Sequence, residues 1–238
     1  MTLSSDVKLV EDLGDARVLR RLLDRRFSCR AFLDTQVPRE AILRILDTAQ
    51  RTASWCNSQP WQVIVTSGEE TESFRRSLMR GAAEVRGTYD VPPPGRYEGP
   101  YKERRRRSGY ALYDSLGITR EDSEGRMRQA FENYRLFGAP HVAIVTSEAQ
   151  LGPYGYVDCG AYVANFLLAA ESLGVATIAQ ASIANFSNVV RAHFDIPAER
   201  HVVCGISFGY ADTEHPVNAF RTERATIAEA IEFRGFGD

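Results

Sequence analysis

The sequence predicts an α+β domain, on three observations. Short apolar runs at 61–66, 141–146 and 201–209 have the length and the β-branched content of buried strands. The stretches between them are helical but unequal in length, where a doubly wound α/β chain would alternate regularly. The 238 residues, 44% hydrophobic and 25% charged, suffice to bury roughly 70% of the unfolded surface around one substantial core. No repeat and no clean linker divides the chain, so a single domain over 1–238 is expected, carrying a loop-rich insertion at about 87–125.

The elements follow in order. Residues 16–26 (ARVLRRLLDRR) place Val18, Leu19, Leu22 and Leu23 on one stripe with arginines opposite, a helical pattern. Pro38 suits a first helical turn, and Ile42, Leu43, Ile45, Leu46 and Ala49 line one face of a second helix over 38–51. A polar, bend-prone stretch, 52–60, leads into a strand at 61–66 (WQVIVT), and residues 69–86 read as helix. The region 87–125 differs in kind. Pro92, Pro93, Pro94, Gly95, Gly99 and Pro100 break regular structure ahead of the positive cluster 102–107 (KERRRR), and a long excursion of this type is usually functional or disordered. Helix resumes over 122–137, followed by a strand at 141–146 (HVAIVT). Asp158 is expected to cap a helix over 159–173, with Gly174 as its stop signal. That helix is apolar nearly all round (Ala161, Val163, Phe166, Leu167, Leu168, Ala169), so both its sides are expected to be covered. Strands at 175–178 and 201–209 and helices at 185–194 and 225–231 complete the chain.

Composition excludes several classes of function. Lys+Arg number 29 against Asp+Glu 31, for a net charge of -2, which argues against a nucleic-acid binder with its strong basic excess. No basic segment followed by an apolar run opens the sequence, so no secretory signal is read. Residues 172–190 carry no charge, but Thr177, Gln180, Ser182, Asn185, Ser187 and Asn188 interrupt them, which argues against a membrane span. The chain reads as soluble and cytoplasmic. Cys29, Cys56, Cys159 and Cys204 form no CxxC pair and read as small hydrophobes in a reducing compartment. His141, His193, His201 and His215 are equally scattered, without metal-ligand spacing.

Four segments carry candidate chemistry. In Arg25-Arg26-Phe27-Ser28-Cys29-Arg30, residues 26, 28 and 30 would project to one side of an extended chain, offering two guanidinium forks and a hydroxyl to a phosphate; the alternative is a solvated basic helix end. Ser54-Trp55-Cys56-Asn57-Ser58-Gln59-Pro60-Trp61 sets amides and hydroxyls beside an apolar strand, suited to a planar heterocycle or, alternatively, to bonding its own backbone. Ala179-Gln180-Ala181-Ser182 follows a strand with side chains small enough to admit a ligand to the backbone, or is a plain turn. Arg221-Thr222-Glu223-Arg224, taken alone, is a surface charge cluster.

Together, RRFSCRAF, ASWCNSQPW, DCGAYVANFLLAAESLGVATIAQAS and GISFGYADTEHPVNAFRTERA resemble the flavin-dependent nitroreductase family over about 18–66 and 130–232, and most closely its nitrobenzoate- and nitroarene-reducing members. Phe27 stands where the family often has Arg or His, and Ala53 where it usually has Pro. The resemblance implies a nitroreductase-like fold with a central, mainly antiparallel sheet flanked by helices, and a lid at the insertion. It implies FMN, with Arg26, Phe27, Ser28, Cys29, Arg30 and Arg224 at the phosphate and ribityl chain and Ser54, Asn57 and Gln59 at the ribityl or ring edge. Ala179, Gln180 and Ala181 would lie against the isoalloxazine, and Asn133 would serve as a further ribityl contact. NAD(P)H would be the co-substrate in a ping-pong reduction of nitroaromatic or other electron-poor acceptors, with no catalytic side chain assigned. A homodimer is implied, with flavin at the interface and the tail 232–237 (EFRGFG) crossing to the other subunit. The alternatives are a reductive dehalogenase, a flavin-destructase relative, or a flavin-sequestering protein without turnover.

Overall fold

The computed structural model describes residues 14–236. Gly237 of the aromatic tail and both ends of the 1–238 span lie outside the described residues. In chain order the elements are α1 (Gly14–Arg25), α2 (Arg39–Ala49), β1 (Trp61–Val65), α3 (Glu69–Glu84), α4 (Gly99–Ser115), α5 (Ser123–Phe131), β2 (His141–Glu148), α6 (Gly152–Ser172), β3 (Ala176–Gln180), α7 (Ala181–Ala184), α8 (Ser187–Phe194), β4 (Arg200–Gly209) and α9 (Ile227–Ala230).

The sheet runs β1-β2-β4-β3, and each neighbouring pair is antiparallel. β2 is central, with seven of its eight residues buried, because helices cover both faces. Its side chains alternate as a strand requires. Ala143 and Val145 pack with Ile45, Tyr162 and Phe166 of α2 and α6. Val142 and Ile144 pack with Phe74, Leu78, Ile183 and Val190 of α3, α7 and α8. A bulge at Val203 breaks the register, since Val145 faces Cys204 whereas Thr146 faces Val202. Among the described residues no helix is long and apolar enough to cross a membrane.

Three elements differ from the sequence expectation. The insertion is not irregular throughout: α4 occupies 17 residues of it and carries the whole arginine run. Pro100 sits in its first turn, where a missing N–H costs nothing. Second, α6 begins at Gly152, seven residues before the expected start, with Pro153 again in the first turn. Asp158 is therefore inside the helix rather than its cap, and its carboxylate accepts from the Trp55 amide at 3.1 Å. The stop is as expected: Gly174 takes φ 72°, and the amides of Gly174 and Val175 donate to Glu171 O and Ala170 O, a Schellman closure. One stripe of α6 (Tyr154, Val157, Ala161, Ala164) is open to solvent in the single chain, while its other side packs into the core. Third, the helix expected over 122–137 ends at Phe131, and Leu136 and Phe137 turn through φ 56° and 53° to enter β2.

Candidate functional site

Residues 28–33 form a short extended ladder that joins the edge strand β3 at Thr177 and the stretch after β4 at 210–212. The Cys29 amide donates to Thr177 O at 3.0 Å, and Ser28 bridges Thr177 in parallel. Beyond it, the Leu33 amide donates to Tyr210 O and the Asp212 amide to Ala31 O. Arg26 sits at the end of α1, its amide donating to Leu22 O at 3.0 Å, while this backbone course sets Ser28 and Arg30. Asn218, 5% exposed, locks it: its Oδ1 accepts from the Arg30 amide, and its Nδ2 donates to Ala31 O and Asp212 O, each at 2.8 Å.

The ladder, α1 and the segment 220–227 enclose a cleft of about 630 Å3 lined by Arg26, Phe27, Ser28, Arg30, Phe220, Arg221 and Arg224, among others. Burial lowers the pKa of Arg26, and the like charge of Arg224 lowers it further, with Glu171 acting the other way. Burial also lowers that of Arg30. Guanidinium groups that are desolvated and that repel one another favour an anion between them. Within the described residues no hydrogen bond or salt bridge occupies the Arg26 guanidinium, and α6's Glu171 is taken by Arg25 at 2.8 Å. Two aromatic rings hold the cluster open: the Arg30 guanidinium lies over Phe220 at 5.5 Å and that of Arg221 over Phe27 at 4.1 Å. Cys29 does not reach the cleft. It is fully buried, its Sγ donates to Ala31 O, and burial pushes its thiol up to about 11.

The end of β3 adjoins the ladder. Ala179 and Ala181 are exposed there, whereas the Gln180 side chain turns inward. Its Oε1 accepts from Ser207 Oγ at 2.5 Å, and its Nε2 donates to Asn133 O at 2.8 Å. Ser182 Oγ donates to Asn133 Oδ1 at 3.0 Å. Asn133 is thereby fixed against the end of β3, with its Nδ2 donating to Ala130 O.

The amide-rich loop lies elsewhere. Cys56, Asn57 and Gln59 all take positive φ (52°, 54°, 47°), strained conformations that side chains adopt only where their surroundings impose them. The imposing contacts are local: the Gln59 amide donates to Ser54 Oγ, Gln59 Nε2 to Asn57 Oδ1, Gln50 Nε2 to Gln59 Oε1 and Trp61 Nε1 to Gln50 Oε1. Asn57 Nδ2 has no bond among these contacts. The loop is tied to Asp158, whereas the arginine cleft neighbours Glu171. The two anchors lie 13 residues apart on α6, roughly 20 Å at 1.5 Å per residue. One chain therefore gathers Arg26, Phe27, Ser28, Arg30 and Arg224 in one cleft, with Ala179, Ala181 and Asn133 beside it, and holds Ser54, Asn57 and Gln59 at the other end of α6.

The family model for nitroreductases matches residues 23–210, spanning the ladder, the loop and the end of β3. The chain belongs to the nitroreductase family. It is 37% identical over 213 residues to a 4-nitrobenzoate reductase of Nocardioides sp. (strain LMS-CY), covering 87% of this chain and 86% of that one. It is 34% identical over 223 residues to nitroreductase NfnB of Mycolicibacterium smegmatis, covering 92% and 93%. The crystal structure of FMN-dependent NfnB from Mycobacterium smegmatis in complex with NADPH superposes with a TM-score of 0.88, covering 92% of this chain and 99% of that chain. Motif reading gave no role to Phe220, which lines the cleft, or to Asn218, which sets its backbone, and it took Arg221 only as part of a charged segment. Arg221 was visible as a charge, but its stacking on Phe27 joins residues 194 positions apart. Among the described residues no group of three or more His, Cys, Asp or Glu side chains is placed to hold a metal ion.

Proposed function

We propose that this nitroreductase binds FMN and uses NAD(P)H to reduce nitroaromatic acceptors by a ping-pong hydride transfer, as a cytoplasmic homodimer with each flavin at the subunit interface. The observation that carries the reading is the arginine cleft. Arg26, Arg30 and Arg224 converge there without a carboxylate of their own, which suits a terminal phosphate dianion and leaves Ser28 to donate to it. Bound FMN supplies the hydride chemistry. The chain's part is to fix the phosphate at the ladder, to hold the ribityl chain near Asn133, and to present the backbone at Ala179–Ala181 to the ring. The buried Gln180–Ser207–Asn133 network keeps that backbone rigid. No side chain is assigned as acid or base, and the proton for the reduced acceptor comes from water.

The dimer reconciles the two half-sites: Ser54, Asn57 and Gln59 of one subunit meet the cleft of the other. The open stripe of α6 supports it, as do the exposed Val18, Leu19 and Leu23 of α1 and Ile231, Phe233 and Phe236 of the tail. The free state of all four cysteines suits a reducing compartment. Anaerobic mixing tests the function. The oxidised-flavin absorption bleaches on adding NADPH or NADH and returns on adding a nitroarene. A yellow protein that neither nucleotide bleaches would instead be a flavin-sequestering protein.

A further inference from the structure

The KERRRR run is absorbed by none of the features above, yet α4 does not scatter its charges evenly. Arg104, Arg107, Ser108 and Ala111 fall at i, i+3, i+4 and i+7, one stripe of the helix, and face Arg221, Thr222 and Glu223 across a second cleft of about 360 Å3. Arg221 and Thr222 also line the arginine cleft, so the two spaces share a wall. Arg221 is held rigidly in that wall, donating to Asn218 O and Phe220 O and stacked on Phe27.

Three guanidiniums line the second cleft against one carboxylate, Glu223. The pairs that α4 makes with the C-terminal segment are loose, Arg107 to Glu223 at 3.3 Å and Arg104 to Glu229 at 3.6 Å, with the arginine side chains 65% and 39% exposed. Exposed pairs of that kind contribute little, and a better-placed oxyanion would displace them.

We propose that the cleft of Arg104, Arg107, Ser108 and Arg221 is a subsite for an oxyanion carried by the molecule that exchanges electrons with the flavin, at a distance from its reacting end. The inference rests on the functional reading above. A subsite of this kind draws binding energy from a non-reacting part of the molecule to position the reacting part. Two sources carry such a group, a carboxylate on a nitroarene and the phosphates of the nicotinamide dinucleotide.

The test compares the flavin-loaded protein with two double variants, Arg104→Gln/Arg107→Gln and Glu223→Gln/Glu229→Gln. Gln at 229 keeps an acceptor for the Thr226 cap of α9. Calorimetric titration of the oxidised protein with 4-nitrobenzoate, 4-nitrobenzamide, NADP+ and NAD+ is read beside kcat/KM for the same acceptors and the reduced nucleotides. The arginine variant is expected to weaken an anionic ligand about tenfold. Loss confined to 4-nitrobenzoate assigns the carboxylate; loss among the dinucleotides, with the nitroarenes unchanged, assigns the phosphates. The glutamate variant, which frees both arginines, strengthens the same ligand. The proposal is overturned if all four ligands stay within about twofold, or if the glutamate variant weakens binding as much as the arginine variant does, since the arginines would then only latch the C-terminal segment. Retained FMN in the variants separates failure of the subsite from failure of the functional reading, which a wild-type protein unable to bind FMN would overturn together with this proposal.

Discussion

His141 shows how a single buried side chain can order the junction of several elements. It is 1% exposed, its Nε2 accepts from the Val37 amide at 3.0 Å, and its Nδ1 therefore carries the proton donated to Thr66 O at 3.1 Å. It stacks on Phe208 at 5.0 Å, so it joins the entry to α2, the exit of β1 and the start of β2. Burial lowers its pKa, with the Thr66 carbonyl acting the other way. The neutral ring is the folded form, and the unfolded chain takes up a proton near pH 6.5. Stability from this residue is therefore complete above about pH 6.5 and declines as pH falls toward the lower folded pKa. His141→Ala is expected to cost about 3 kcal/mol, from two unpaired buried backbone groups and a cavity. It should also flatten the fall of thermal midpoint between about pH 7 and 5. Equal slopes in variant and wild type would contradict this role.

Two of the helices that differ from expectation, α4 and α6, were obscured for different reasons. α4 has no buried residue, so it lacks the apolar period that reveals a helix, and its arginine run resembles solvated loop. α6 starts earlier than expected because Asp158, which has the side chain of a cap, lies within the helix, whose first turn is formed by Gly152 and Pro153. By contrast, the grouping of Arg26, Ser28 and Arg30 was legible because it is local in sequence, Arg26 at the end of α1 and the other two on extended chain. The partners that hold it were not legible, since Asn218 lies 188 residues from Arg30. The open stripe on α6 yields a prediction for the element. Val157 is 64% exposed in the single chain and central to that stripe. Val157→Arg is therefore expected to halve the mass seen by sedimentation equilibrium, from twice 26.6 kDa to 26.6 kDa, and to weaken flavin retention with it. A variant that stays dimeric with full FMN would place the contact on another surface.

At the scale of the whole molecule, the fold sets the arginine cleft beside the C-terminal part of α6 and the amide-rich loop beside its N-terminal part. The antiparallel sheet sets β3 at an edge, the ladder 28–33 covers that edge, and the C-terminal segment folds back to supply Phe220, Arg221 and Arg224. Each of the two segments was legible as a motif, but their separation within one chain was not, because α6 sets it rather than either motif. The central claim is that the arginine cleft holds the flavin's phosphate, and titration of apoprotein with FMN and with riboflavin, for wild type and Arg30→Ala, tests it most directly. The account predicts that wild type prefers FMN, and that Arg30→Ala weakens FMN by roughly ten- to hundredfold while leaving riboflavin affinity unchanged. An Arg30→Ala protein that binds FMN as tightly as wild type, or that loses both ligands equally, would contradict it.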